Sequence, residues 1–190
     1  MNFSLKRFAL FSLTLVGALQ LSSAVAQPIQ LSEPEYQQQT QGLHKIVENF
    51  DAMPIGTPAS PLQLANGRFF GQPQIIDFAW CLFSPCLAVG LTTEAEFADF
   101  PAGTRFWSGR MIHASDGNVV DVTVVGQGGT QVFRLPTGSF VPNGIFVGFH
   151  DPQGLQSIRF ELVVAAVNYS FDDVETATIL FRDGFEGGAD

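Results

Sequence analysis

From about His44 onward, apolar residues recur at every second position in short runs separated by Gly, Pro, Asn and Asp. Val120, Val122 and Val124 alternate with Asp121 and Thr123, and Ile158, Phe160 and Leu162 alternate with Arg159 and Glu161. Successive side chains of a strand point to opposite faces, so this period predicts strands with one buried and one wet face. The runs His44–Phe50, Gln74–Trp80, Gly103–Trp107, Thr130–Leu135, Ile145–His150 and Asn168–Val174 read the same way. Gly126-Gln127-Gly128-Gly129 is a hairpin signal, and Asp116-Gly117 and Asn143-Gly144 are further turn dipeptides. One helix is predicted, over Thr93–Phe100, with Thr92 or Thr93 near the cap, Glu94 and Glu96 in the first turn and Pro101 as a stop. Residues 27–43 carry Pro28, Pro34 and the run Gln37, Gln38, Gln39 without apolar periodicity, and read as a flexible lead-in. Many short strands without an internal repeat predict one all-β domain over residues 44–176, a two-sheet antiparallel sandwich, followed by a tail over 177–190.

The composition agrees. Only 14% of the 190 residues are charged, while Gly (19), Pro (11) and Phe (19) are abundant, which argues against a helical bundle or coiled coil. The formal charge of −9 argues against a phosphate-backbone binder, which needs clustered Lys and Arg, so no nucleic-acid partner is expected. Lys6 and Arg7, the apolar stretch from Phe8 to Leu21 and the small-x-small pattern Ala24-Val25-Ala26 form a secretory signal with cleavage predicted after Ala26. The apolar core is short for a span and no second one follows, so the expected product is exported to the periplasm, the cell surface or the medium, with no transmembrane segment.

Export changes how Cys81 and Cys86 are read. In an oxidising compartment a disulfide is the default, and two cysteines are too few for a structural zinc site without distant histidines. The four intervening residues do not match a thioredoxin-like pair.

Both ends of the domain carry a resemblance. Val47-Glu48-Asn49-Phe50-Asp51-Ala52-Met53-Pro54-Ile55-Gly56-Thr57 resembles the opening of secreted bacterial jelly-roll domains, and Tyr169-Ser170-Phe171-Asp172-Asp173-Val174 resembles their final strand. Galactose-binding-like carbohydrate-binding modules and many exosortase-sorted (PEP-CTERM) proteins look like this. The chain between the two ends carries no matching motif, and the Pro-Glu-Pro tail of the sorted proteins is lacking. The resemblance implies a jelly-roll sandwich, a binding function and a structural calcium near the first and last strands. Asp172 matches the family's acidic position, and Glu48 or Asp51 would supply a second carboxylate. Ser170-Phe171 departs from the family by placing an aromatic where an aliphatic is usual. The segment Phe181-Arg182-Asp183-Gly184-Phe185-Glu186 resembles a tail that ends some secreted gammaproteobacterial proteins, read either as a sorting signal or as a frayed strand.

Catalytic chemistry finds little support. No Gly-x-Ser-x-Gly elbow, His-Glu-x-x-His or Glu-x-Asp-x-x-Glu run is present, and His44, His113 and His150 show no ligand spacing. His150-Asp151 reads as a surface turn into Pro152 before it reads as a catalytic pair. The binding reading rests on aromatics that stack on sugar faces and on charged groups that take hydroxyls. Trp107, followed by Ser108, Gly109 and Arg110, is the expected ligand-binding aromatic with Arg110 as its partner; Trp80 reads as core. The expectation is a non-catalytic module for a glycan or envelope surface. A structural or adhesive envelope protein without small ligand comes second, and a glycan-active hydrolase third.

Overall fold

The computed structural model describes residues 26–77, 81, 85–89, 94–113, 119–136, 144–163 and 169–179. Residues 1–25 of the predicted signal, Trp80, the Asp116-Gly117 turn, Asn143 of the Asn143-Gly144 turn and the tail from residue 180 lie outside the described residues. No helix among the described residues is long and apolar enough to cross a membrane.

Two antiparallel sheets form a β-sandwich. The first sheet contains β1 (Ile29–Leu31), β2 (His44–Glu48), β5 (Pro73–Ile76), β6 (Cys86–Val89), β8 (Thr104–His113), β11 (Ile145–His150) and β13 (Tyr169–Thr178). Its order is β1-β11-β8-β13-β6-β5, with β2 also pairing with β13. The second sheet contains β3 (Leu62–Leu64), β4 (Gly67–Phe70), β7 (Glu94–Ala98), β9 (Val119–Gly126), β10 (Gly129–Pro136) and β12 (Leu155–Leu162), in the order β10-β9-β12-β7-β4-β3.

The alternation seen in the sequence is the alternation of burial. Val120, Val122 and Val124 of β9 and Ile158, Phe160 and Leu162 of β12 turn inward, and their polar neighbours turn out. At the centre Phe97 meets Phe69, Trp107 and Phe171 at ring-centroid distances of 5.1, 5.2 and 5.0 Å. Edge-on and tilted contacts of this kind fill volume and suit the ring quadrupoles. Cys81 and Cys86 form a disulfide where β6 begins, with a Cα–Cα distance of 5.5 Å.

Two expectations are corrected. Glu94–Ala98 is strand β7, not a helix, because Ala95 and Phe97 are both needed inside while Glu96 stays at the surface. The lead-in over 27–43 holds structure as well: β1 pairs with β11, and α1 (Glu33–Gln39) lies across the outer face of the first sheet. The Glu35 carboxylate accepts both the N–H (2.8 Å) and the hydroxyl (2.6 Å) of Ser32, and Pro34 sits in the first turn, where it costs no hydrogen bond. Tyr36 anchors the helix in a second apolar cluster with Leu31, Phe106 and Ala177. Gly148 makes room for it, since a Cβ there would stand 2.7 Å from the Phe146 ring and 3.3 Å from Tyr36.

Candidate functional site

The outer face of the first sheet is where the sequence-predicted residues part company. Along β8, Trp107, Gly109 and Met111 occupy inward positions, whereas Phe106, Ser108 and Arg110 face out. Trp107 is 0% exposed and lies among Phe97, Phe160 and Phe149. It is therefore a core residue and cannot stack on a ligand, which corrects its assignment as the binding aromatic. Arg110, three residues on, stands on the opposite face and donates to the Glu33 carboxylate of α1 at 2.5 Å.

Around Arg110 the sheet and α1 enclose an open cleft of about 220 Å³. Glu33 and Gln37 come from α1, Ser108 and Arg110 from β8, Phe146 from β11, and Asp173 and Glu175 from β13, with Val47 of β2 at one side. The strand register explains the convergence: Arg110 pairs with Phe146 on one side and Asp172 on the other, and Ser108 pairs with Gly148 and Glu175. Strand β13 changes partner here. Tyr169–Phe171 pair with β6, Val174–Thr178 pair with β2, and between them the register against β8 shifts and Asp173 takes φ 48°. The bulge turns the Asp173 side chain out to the surface and buries Asp172 beside it.

Burial, together with the negative charges of Asp173 and Asp51, pushes the Asp172 carboxyl up to about 6, against the pull of the Asp173 N–H and Arg110. Tyr36 is 0% exposed, and its hydroxyl lies beside Ser108 and Glu175. Its pKa is raised, first by burial, with the neighbouring Glu175 charge adding to it and Ser108 opposing it. Lys45 crosses from β2, with Nζ 2.9 Å from Glu175 Oε1 and 5.6 Å from the centre of the Tyr36 ring.

The three carboxylates named for calcium are not assembled into one group. Among the described residues no three His, Cys, Asp or Glu side chains gather to hold a metal ion. Glu48 is turned to a structural task, its two carboxylate oxygens accepting the N–H groups of Phe50 and Ala65, each at 3.1 Å. Asp51 is exposed and accepts from the Asn49 side chain at 2.8 Å. Only Asp51 and Asp172 remain near enough to feel each other's charge. This donor set does not fit a cation that wants six or more oxygens.

His150 and Asp151 are each engaged by other neighbours. The imidazole stacks on Phe106 at 4.1 Å, and burial holds its pKa below the ordinary value. Asp151 is buried rather than at the surface, and accepts the N–H groups of Gly128 (3.0 Å) and Gln153 (2.7 Å). Its oxygen would lie only 1.8 Å from a Cβ on Gly126, so that hairpin requires glycine.

No protein-family model and no curated protein matches the chain. Among solved structures it is similar to the C-terminal family 22 carbohydrate-binding module of Clostridium thermocellum Xyn10B, at 13% identity and a TM-score of 0.40, over 72% of this chain and 93% of that one. It is also similar to the CBM36-1 domain of a multidomain xylanase from the hindgut metagenome of Trinervitermes trinervoides, at 12% identity and a TM-score of 0.38, over 72% of this chain and 98% of that one.

Proposed function

We propose that this protein is an exported, non-catalytic module that holds a glycan or a cell-envelope polysaccharide in the outer-face cleft of its first sheet. Export rests on the Lys6 to Ala26 pattern. The observation that supports binding is the cleft itself, where a guanidinium, three carboxylates and a phenyl ring line a space of about 220 Å³. Sugar hydroxyls donate to carboxylates and accept from Arg, while C–H faces lie on an aromatic ring. Phe146, held edge-on by Tyr36 with ring centroids 5.5 Å apart, takes the role that Trp107 cannot.

Retention on insoluble glycans and on envelope fractions tests the proposal. Wild type is retained and eluted by soluble fragments of the same glycan, and releases no reducing ends. Arg110→Gln or Phe146→Ala weakens retention about tenfold or more, the loss of roughly 1.4 kcal/mol in binding, with the fold checked by circular dichroism. No retention on any glycan leaves the structural envelope reading, and retention equal to wild type in both variants moves glycan binding away from the cleft. Release of reducing ends by wild type makes the protein a hydrolase.

A further inference from the structure

We propose that the Gly126–Gly129 hairpin and Asp151 form a receiving site for the chain's own processed end: once the signal is removed after Ala26, the α-ammonium of Gln27 pairs with the buried Asp151 carboxylate. This goes beyond the glycan reading and rests only on its export part.

The cleavage pattern and the hairpin meet at one bond. Ala24-Val25-Ala26 sets the cut between Ala26 and Gln27. A Cβ on Gly128 would collide with the Ala26 carbonyl oxygen, and would stand 3.1 Å from the Ala26 carbonyl carbon and 3.2 Å from Asp151 Oδ1. The carbonyl to be cut and the carboxylate therefore flank the same glycine. The Gln27 side chain runs over Gly129, with Nε2 3.6 Å from the position of a Cβ there, and Gln131 of β10 donates to Gln27 Oε1. Strand register agrees independently. Ile29 pairs with His150, so continuing β1 by one residue brings the buried Pro28 level with Asp151.

Asp151 has the capacity to take a cation. It is 0% exposed, Oδ1 accepts the Gln153 N–H at 2.7 Å and Oδ2 accepts the Gly128 N–H at 3.0 Å. A carboxylate offers about four acceptor positions, so room remains for further donors. Among the described residues no ion pair reaches it, and a buried charge gains from a partner that is also hydrogen-bonded. Its titratable neighbours are Arg105 of β8, whose carbonyl accepts the Asp151 N–H at 3.0 Å, and His150 of β11, which is stacked on Phe106. Hydrolysis by a signal peptidase adds water across the Ala26–Gln27 bond, leaving a carboxylate on the departing Ala26 and an amine on Gln27. α-Amino groups titrate near about 7.7–8.0, so this amine is protonated at neutral pH and brings three donors and a charge to the carboxylate. The pair fastens the segment that carries β1 and α1, and α1 supplies Glu33 and Gln37 to the cleft.

The test uses protein recovered from the exported fraction. Intact mass and N-terminal sequencing should give a chain that begins at Gln27 with a free amine. Nuclear magnetic resonance should then show that amine titrating about one pH unit or more above its ordinary range, because an opposite charge favours the charged form. Asp151→Asn should bring the titration back to that range. It should also speed about tenfold the ring closure in which the neutral amine attacks Cδ of Gln27 and expels ammonia, since one unit means tenfold more neutral amine. If Asp151→Asn does not fold, a Ser inserted between Ala26 and Gln27 decides. Its displaced amine should titrate in the ordinary range and its melting temperature should fall by several degrees; a melting temperature equal to wild type overturns the pairing. A Gln27 amine of ordinary titration, or wild type recovered with Gln27 already cyclised, overturns the pairing and leaves export standing. A chain that begins elsewhere or still carries the signal overturns the predicted cleavage as well, and glycan retention is read separately from all of these.

Discussion

Trp107 and Ser108 are neighbours in sequence, yet they face opposite surroundings, the core and the outer cleft. The inner face of β8 is dry and aromatic, with Trp107 against Phe97, Phe149 and Phe160. The outer face is partly wet and charged, with Ser108 and Arg110 under a short helix. The inner face is fixed by volume, and the outer face by which charges find each other. Substitutions on the inner face therefore report packing, and those on the outer face report charge placement and test the proposed binding.

The largest expected effect lies inside. Trp107→Ala removes a fully buried side chain from close packing, and denaturant unfolding should show a loss of about 3–5 kcal/mol. Arg110→Gln should cost about 1 kcal/mol or less, since the guanidinium is partly solvated and its bond to Glu33 is at the surface. A Trp107→Ala variant of near wild-type stability that loses glycan retention would overturn the division between the faces.

The outward residues were also harder to read. Period-2 alternation on β9, β11 and β12 is a local signal, and it locates those strands within a few residues. It was present in Glu94-Ala95-Glu96-Phe97-Ala98 too, but two glutamates after a threonine imitate the first turn of a helix. In the lead-in, Ser32-x-x-Glu35 is a capping box that the glutamine run obscured, and Tyr36 was the one residue there able to anchor a helix. The cleft is a different matter. Glu33, Arg110, Phe146 and Glu175 come from four elements and meet only through sheet register and the docking of α1, which no window along the chain contains. Arg110 was legible as a charged residue near an aromatic, but its partner aromatic is Phe146 across the strand pair, not Trp107 beside it.

A middle-sized effect comes from Asp172, which sits on the outer side of this comparison but is buried. Its carboxyl is raised to about 6, from an ordinary value near 3.9, chiefly by burial. The folded protein thus binds this proton more tightly than the unfolded chain. The corresponding stability is fully present below about pH 4 and is lost as pH rises through about 6. Allowing for partial solvation, the loss is about 1–2 kcal/mol. Asp172→Asn keeps an oxygen for the Asp173 N–H, so it should raise stability at pH 7.5 by a similar amount and flatten the profile between pH 4 and 7. Urea unfolding at several pH values reads both. A variant less stable than wild type at pH 7.5 would show that the negative charge is wanted there.

Calcium is expected to have the smallest effect, and its test bears on the same carboxylate. The ion takes six to eight oxygens, whereas Glu48 already accepts two backbone N–H groups and no three-carboxylate group exists among the described residues. Thermal unfolding should therefore be unchanged by calcium across about 0.1–10 mM, a span that includes the weak affinities of extracellular modules. A ligand that prefers the folded state must raise its melting temperature by mass action, so binding has no way to stay hidden in this measurement. If calcium does raise it, and Asp51→Ala or Asp172→Ala each abolish the rise, the two aspartates are ligands with backbone carbonyls completing the shell. The raised carboxyl of Asp172 would then mark a coordination site rather than a cost of burial. The pH dependence just described should in that event vanish in calcium-saturated protein, because a bound cation favours the ionised form.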